Sequence, residues 1–149
     1  MSLLKSISAR WAADSTLCAK IPFAKVFTGR VPQTQLYAFP YVSVLATGGA
    51  QTLRTDKTQY SHGPLSFHIW VDESKLEFGE ETAELIANAF ANRCWRIDDN
   101  AKVIDVLDEG EPLAIQTDLP TVKAWEVVKL LTVCIERTRV DPAECCVEI

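Results

Sequence analysis

The chain is poor in the features that would mark most specialised classes. Its five cysteines, Cys18, Cys94, Cys134, Cys145 and Cys146, include no C-x-x-C pair. An odd count without that spacing argues against a disulfide framework and against a zinc site, and predicts reduced thiols. The adjacent Cys145 and Cys146 are placed to oxidise between molecules in vitro. No apolar run approaches the roughly 20 residues that span a bilayer, so no membrane partner is expected. The opening Met1-Ser2-Leu3-Leu4-Lys5 lacks a signal peptide's basic region and long apolar run, which predicts a protein made and kept in a cytoplasm. A basic surplus is missing too. Fifteen Lys and Arg against 20 Asp and Glu leave a net charge of −5, which disfavours a broad nucleic-acid face and leaves room only for a local basic patch.

Motifs that carry chemistry are equally scarce. Gly48-Gly49 has neither the spacing nor the following lysine of a phosphate loop, and there is no H-E-x-x-H or G-x-S-x-G. His62 and His68 stand six apart, with Asp72 as the one nearby third ligand on the same strand face. They read as one loop histidine and one outward strand histidine. Cys94, beside Trp95 at a helix end, reads as a small apolar filler. Glu77, Glu80, Glu81 and Glu84 gather at a helix start, where dipole compensation and solvation explain them. The expectation is a protein that is not an enzyme and holds no cofactor or metal.

What the chain does contain is one ordinary globular domain: 149 residues, 48% of them hydrophobic and 23% charged. The expected core covers about residues 3–137, with 138–149 a loosely held tail. The organising stretch runs from Gly63 to Arg93. Leu65, Phe67, Ile69 and Val71 alternate with Ser66, His68 and Asp72, the pattern of a strand with one buried face. Asp72-Glu73-Ser74 offers turn and cap chemistry. From Phe78 the apolar positions switch to helical spacing, through Thr82, Leu85, Ile86 and Ala89 to Phe90. Strand face and helix stripe need the same core, which predicts that Phe67 and Phe90 are both buried.

The remaining elements follow from period and punctuation. Leu4, Ile7 and Trp11 predict a helix over Leu3 to Ala13, interrupted by Asp14-Ser15-Thr16, with one further turn at Leu17 to Ala19. Pro22 interrupts Ile21 to Phe27, Gly29 to Pro32 is a turn, and Gln33 to Phe39 an exposed connection. Tyr41 to Thr47 is rich in strand formers, and Gly48-Gly49 bends or breaks it. The polar stretch Gln51 to Tyr60 reads as a hairpin arm or mobile loop. It leads into the central strand as an antiparallel neighbour of the one before. Lys102 to Leu107 is a short strand after a turn at Asp98 to Asn100, and Leu113 to Ile115 is a candidate for pairing. Trp125 to Arg137 suits either period, and its β-branched residues favour a strand. Together these predict an α+β fold: a mainly antiparallel sheet of four to five strands with two helices packed on one face. Trp11 and Trp95 are expected to cap the core from the two helices. Trp70, a large aromatic on an otherwise polar strand face, is the one local sign of a contact site.

The order of these pieces resembles the tail-completion or tail-terminator proteins of long-tailed bacteriophages and prophages. The likeness rests on the opening amphipathic helix with Asp14-Ser15-Thr16-Leu17, and on Val26-Phe27-Thr28-Gly29-Arg30-Val31-Pro32. It continues through Pro40-Tyr41-Val42-Ser43-Val44 and the polar hairpin to Phe67-His68-Ile69-Trp70-Val71 and Ala83-Glu84-Leu85-Ile86-Ala87-Asn88-Ala89-Phe90. It is strong over Leu3 to Phe90, looser to Arg137, and has no counterpart for Asp98 to Ala124. The resemblance implies a non-enzymatic virion component assembled in the host cytoplasm. Its subunits form a ring, commonly of six, that caps the tail tube and faces the head connector. Such a subunit needs partners in itself, the tail tube and the connector, and the exposed-looking candidates for those contacts are Arg30, Pro32, Arg54, Lys57 and Trp70. Arg54 and Lys57 are expected to face a neighbour's acidic helix start, Glu77 to Glu84. Two other readings stay open: a small binding domain unrelated to phage that uses the Trp70 face, and a small enzyme built on His62, His68 and Asp72.

Overall fold

The strand announced by the alternation is the upper half of a much longer one. In the computed structural model, which describes residues 2–46, 50–55, 57–118 and 122–138, it extends over Thr58–Asp72 as β4. Its apolar row, Leu65, Phe67, Ile69 and Val71, is wholly buried. β4 pairs along its length with β8, Lys123–Thr138, in antiparallel register, with Leu65 opposite Leu131 and Ile69 opposite Val127. The β-branched residues of the last segment therefore do form a strand, since they fit a pleated surface better than a helix.

Shorter strands line both sides of this central pair. On the β4 side, β2 (Tyr41–Ala46) pairs with residues 65–70 and β3 (Ala50–Arg54) with 59–62. On the β8 side, β6 (Ala101–Asp108) pairs with 131–137 and β7 (Leu113–Asp118) with 123–128. The two-residue β1 (Val26–Phe27) adds to β2 in parallel, and β5 (Trp95–Asp98) adds to β6. The class is α+β, but the sheet is larger than expected: eight strands instead of four to five, and three helices instead of two, among the described residues. The missed strands are short and lack a period of their own. They exist because a long neighbour supplies the ladder. The polar arm, by contrast, does close as the β3–β4 hairpin.

The helices pack over the buried row. α1 (Leu3–Ala13) is capped by Ser2, whose hydroxyl accepts the Lys5 N–H at 3.2 Å. Asp14 then ends α1 and starts α2 (Ser15–Lys20), its carboxylate accepting from the Thr16 and Leu17 N–H groups at 2.9 and 3.1 Å. A 3-10 turn at Glu73–Lys75, braced by Asp72, leads into α3 (Leu76–Phe90). α3 buries Thr82, Ala83, Ile86 and Phe90, and at Gly79 it comes so close to the sheet that an added Cβ would lie 2.8 Å from Val127 Cγ2. An aromatic chain crosses the core, from Trp11 to Phe67 (6.3 Å between ring centres), Phe67 to Phe90 (5.3 Å) and Phe90 to Trp95 (6.0 Å).

Three local expectations need correction. Trp95 belongs to β5 and not to a helix, and its Nε1 donates to Ser6 Oγ on α1 at 3.0 Å. Cys94 is exposed, because α3 ends before it at Phe90. His62 lies within β4 and not in a loop. The expected break at Gly48-Gly49, the pair Cys145-Cys146 and the tail beyond Thr138, which itself closes β8, lie outside the described residues.

Candidate functional site

The face of the sheet turned away from the helices is left partly open. Leu45 of β2, Leu107 of β6, Leu113 and Ile115 of β7 and Leu130 of β8 are all exposed. Between them runs a polar chain carried by Ser66 and His68 of β4 and Glu126 of β8. His68 Nδ1 lies 2.6 Å from Glu126 Oε1, and His68 Nε2 lies 3.0 Å from Ser66 Oγ. The order of groups is that of a nucleophile, a base and an orienting carboxylate. Ser66, however, sits mid-strand with Leu45 opposite it on β2 and Leu130 opposite it on β8. These hydrogen bonds satisfy half-buried polar groups beside exposed apolar side chains.

Trp70 does not project as a free anchor. Its ring stacks on Tyr41 at 6.2 Å, Tyr41 stacks on Phe39 at 5.9 Å, and Phe27 meets Tyr41 edge-on at 5.9 Å. Burial first, and the Glu126 carboxylate second, push the Tyr41 phenol above its ordinary range, so it stays neutral and donates to the Leu36 carbonyl at 3.3 Å. Arg30 and Pro32 are exposed in the loop after β1. Arg54, the last residue of β3, and Lys57, in the turn before β4, are exposed as well. Arg54 lies opposite Gln59, and Trp70 stands eleven residues further along the same strand, or about 35 Å at ~3.3 Å per residue. The basic arm and the aromatic layer are thus separate surfaces.

The acidic helix start takes on a shape that the sequence did not announce. Between α3 and the β6–β7 turn lies a groove of about 530 Å³, lined by Glu77, Glu80, Glu81, Glu84, Asp108 and Glu111, with Lys129 at its floor. Lys129 occupies the buried row of β8, between Val127 and Leu131, and is only 4% exposed. Its Nζ donates to Asp108 Oδ1 at 2.6 Å and to the Gly110 carbonyl. Those hydrogen bonds explain how a lysine is tolerated among apolar neighbours. They also act on their acceptor: the bond from Lys129 first, and that from the Gly110 N–H next, hold the Asp108 carboxyl below its ordinary value of 3.8. Lys20 of α2 reaches Glu81 at 2.6 Å. Among the described residues, Glu77, Glu80, Glu84 and Glu111 make no such ion pair, so the groove keeps a net negative rim.

No protein-family profile matches this chain, and no curated protein sequence matches it. Solved structures do. A chain from the virion of a native gene transfer agent particle superposes with a TM-score of 0.70 at 13% identity, over 91% of this chain and 95% of that one. A second solved chain matches with a TM-score of 0.52, also at 13% identity, over 94% of this chain and 97% of its own length. At such identities the likeness is one of fold, and it spans both partners almost end to end.

The groups considered for metal chemistry are dispersed or engaged. Both ring nitrogens of His68 are occupied by Glu126 and Ser66, and Asp72 accepts from Ser74. Among the described residues, no three His, Cys, Asp or Glu side chains are grouped to hold a metal ion. No helix among them is long and apolar enough to cross a membrane.

Proposed function

We propose that this protein is a structural subunit of virion assembly, one copy of a ring that caps the phage tail tube at the head–tail junction. The observation that carries the reading is the end-to-end fold likeness to a chain from the virion of a native gene transfer agent particle. The order of elements that resembles tail-terminator proteins points the same way. On this reading the protein works by binding and not by turnover, requires no cofactor, and resides in the virion after assembly in the host cytoplasm. Its partners are further copies of itself, the tail tube below and the head connector above. The open sheet face and the acidic groove are two distinct surfaces of the kind that a ring subunit needs toward neighbours and toward tube or connector.

The test is genetic and visual. Deleting the gene from an inducible phage or prophage is expected to yield tail tubes of uncontrolled length and heads without tails, seen by negative-stain electron microscopy, with rescue from a plasmid copy. Lysates of the deletion strain that contain normal, joined virions would overturn the proposal.

A further inference from the structure

Among the described residues, four strands of the sheet, β1, β3, β5 and β7, pair on one side only. The two that flank the central pair itself are β3, which pairs among these residues only with β4, and β7, which pairs only with β8. They lie on opposite borders and at opposite ends of the central pair: β3 beside residues 59–62 of β4, β7 beside residues 123–128 of β8. An unpaired edge is a template for another strand, and these two match in length, with five and six residues.

We propose that β3 of one copy pairs antiparallel with the bare edge of β7 in the next, so that the ring is closed by a continuous intersubunit sheet. This rests on the ring reading above. Charge selects the direction. In the antiparallel sense, the Arg54 end of β3 lies against the Leu113 end of β7, next to the acidic groove and Glu111. The exposed Arg54 and Lys57, which make no ion pair among the described residues, then meet Glu80, Glu84 and Glu111, which make none either. The parallel sense would carry the same cations to the far end of β7, beside the exposed Lys123 opposite Asp118. The contact also covers the β7 edge where Leu113, 62% exposed, and Ile115 stand out. Because the two edges differ, the contact is head-to-tail and can close by rotation. Because they lie at opposite ends of the central pair, each joint adds a stagger, which closure of a sheet into a barrel requires.

The test uses the full chain at high concentration and on purified tail tubes. Light scattering and native mass spectrometry give the assembly state. A zero-length carbodiimide cross-linker, applied to a mixture of isotope-labelled and unlabelled copies, maps the contact. The expected result is an intermolecular Lys57–Glu111 cross-link. Arg54→Glu with Lys57→Glu is expected to weaken assembly at least tenfold, as is Glu80→Lys with Glu111→Lys. Mixing the two variants should restore it to within a few-fold, with thermal midpoints unchanged throughout. Rings that form without that cross-link and ignore both reversals overturn the edge contact and leave the ring reading standing. A chain that stays monomeric both in concentrated solution and on tail tubes overturns the two together.

Discussion

Gly79 tests how α3 is held, because two effects of opposite sign act on one methyl group. In Gly79→Ala, the helix gains about 1 kcal/mol of intrinsic propensity. The new Cβ, however, would lie 2.8 Å from Val127 Cγ2 and 3.4 Å from Val71 Cγ2, where carbon contacts ordinarily settle at about 3.5–4.0 Å. Val127 and Val71 are fully buried and stiff at χ1, so neither can swing aside. Overpacking of this kind costs about 1–3 kcal/mol. The clash wins, and the net expectation is a loss of about 1 kcal/mol. Val127→Ala removes the opposing methyl and by itself costs about 2 kcal/mol in lost burial and cavity. In the double variant the methyl introduced by Gly79→Ala fills the space that Val127 vacates. The two losses should then fall short of additivity by about 1–2 kcal/mol. Urea unfolding of the four proteins, with equal m-values, reads this coupling directly. A Gly79→Ala protein more stable than the parent, with the effects of the two substitutions simply adding in the double variant, would refute the close approach of α3 to β8. It would also remove the wall on which the acidic groove depends.

Two further perturbations probe the core and the groove. Phe90→Ala empties a site that is 1% exposed and in ring contact with Phe67, and is expected to cost about 3–5 kcal/mol; an unchanged urea midpoint would show that helix and strand do not share this core. Asp108→Asn withdraws the charged partner of the buried Lys129, which keeps the Gly110 carbonyl, and should cost of order 1 kcal/mol at pH 7. Because the folded Asp108 carboxyl is held below 3.8, its contribution is present above that value and disappears as pH falls through the folded pKa. The gap between parent and variant should therefore close in acid; a gap of constant size down to pH 2 would break the assignment.

The readings that succeeded from sequence depend on neighbours three or four residues apart along a helix, or two apart along a strand. The buried row Leu65, Phe67, Ile69 and Val71 was legible because alternation records which side faces the core. The stripe of α3 and the helix over Leu3–Ala13 were legible through their 3.6 period, and β8 through its β-branched content. The parts that sequence left blank depend on register between distant segments. β5 has too few residues to show a period and exists because β6 offers it a ladder, and β7, whose first residues Leu113 to Ile115 were legible as a candidate for pairing, owes its partner to β8. Lys129 looks like an interruption in an apolar row until Asp108 and Gly110, some twenty residues away, are seen to receive it. Trp70 reads as a free contact residue until the β2 register sets Tyr41 against it, and His68 as a lone outward histidine until the β8 register delivers Glu126. Local chemistry decided which faces must be hidden. Only the pairing of strands far apart in the chain decided which polar groups meet and which edges stay bare, because that depends on the register chosen by the whole core at once.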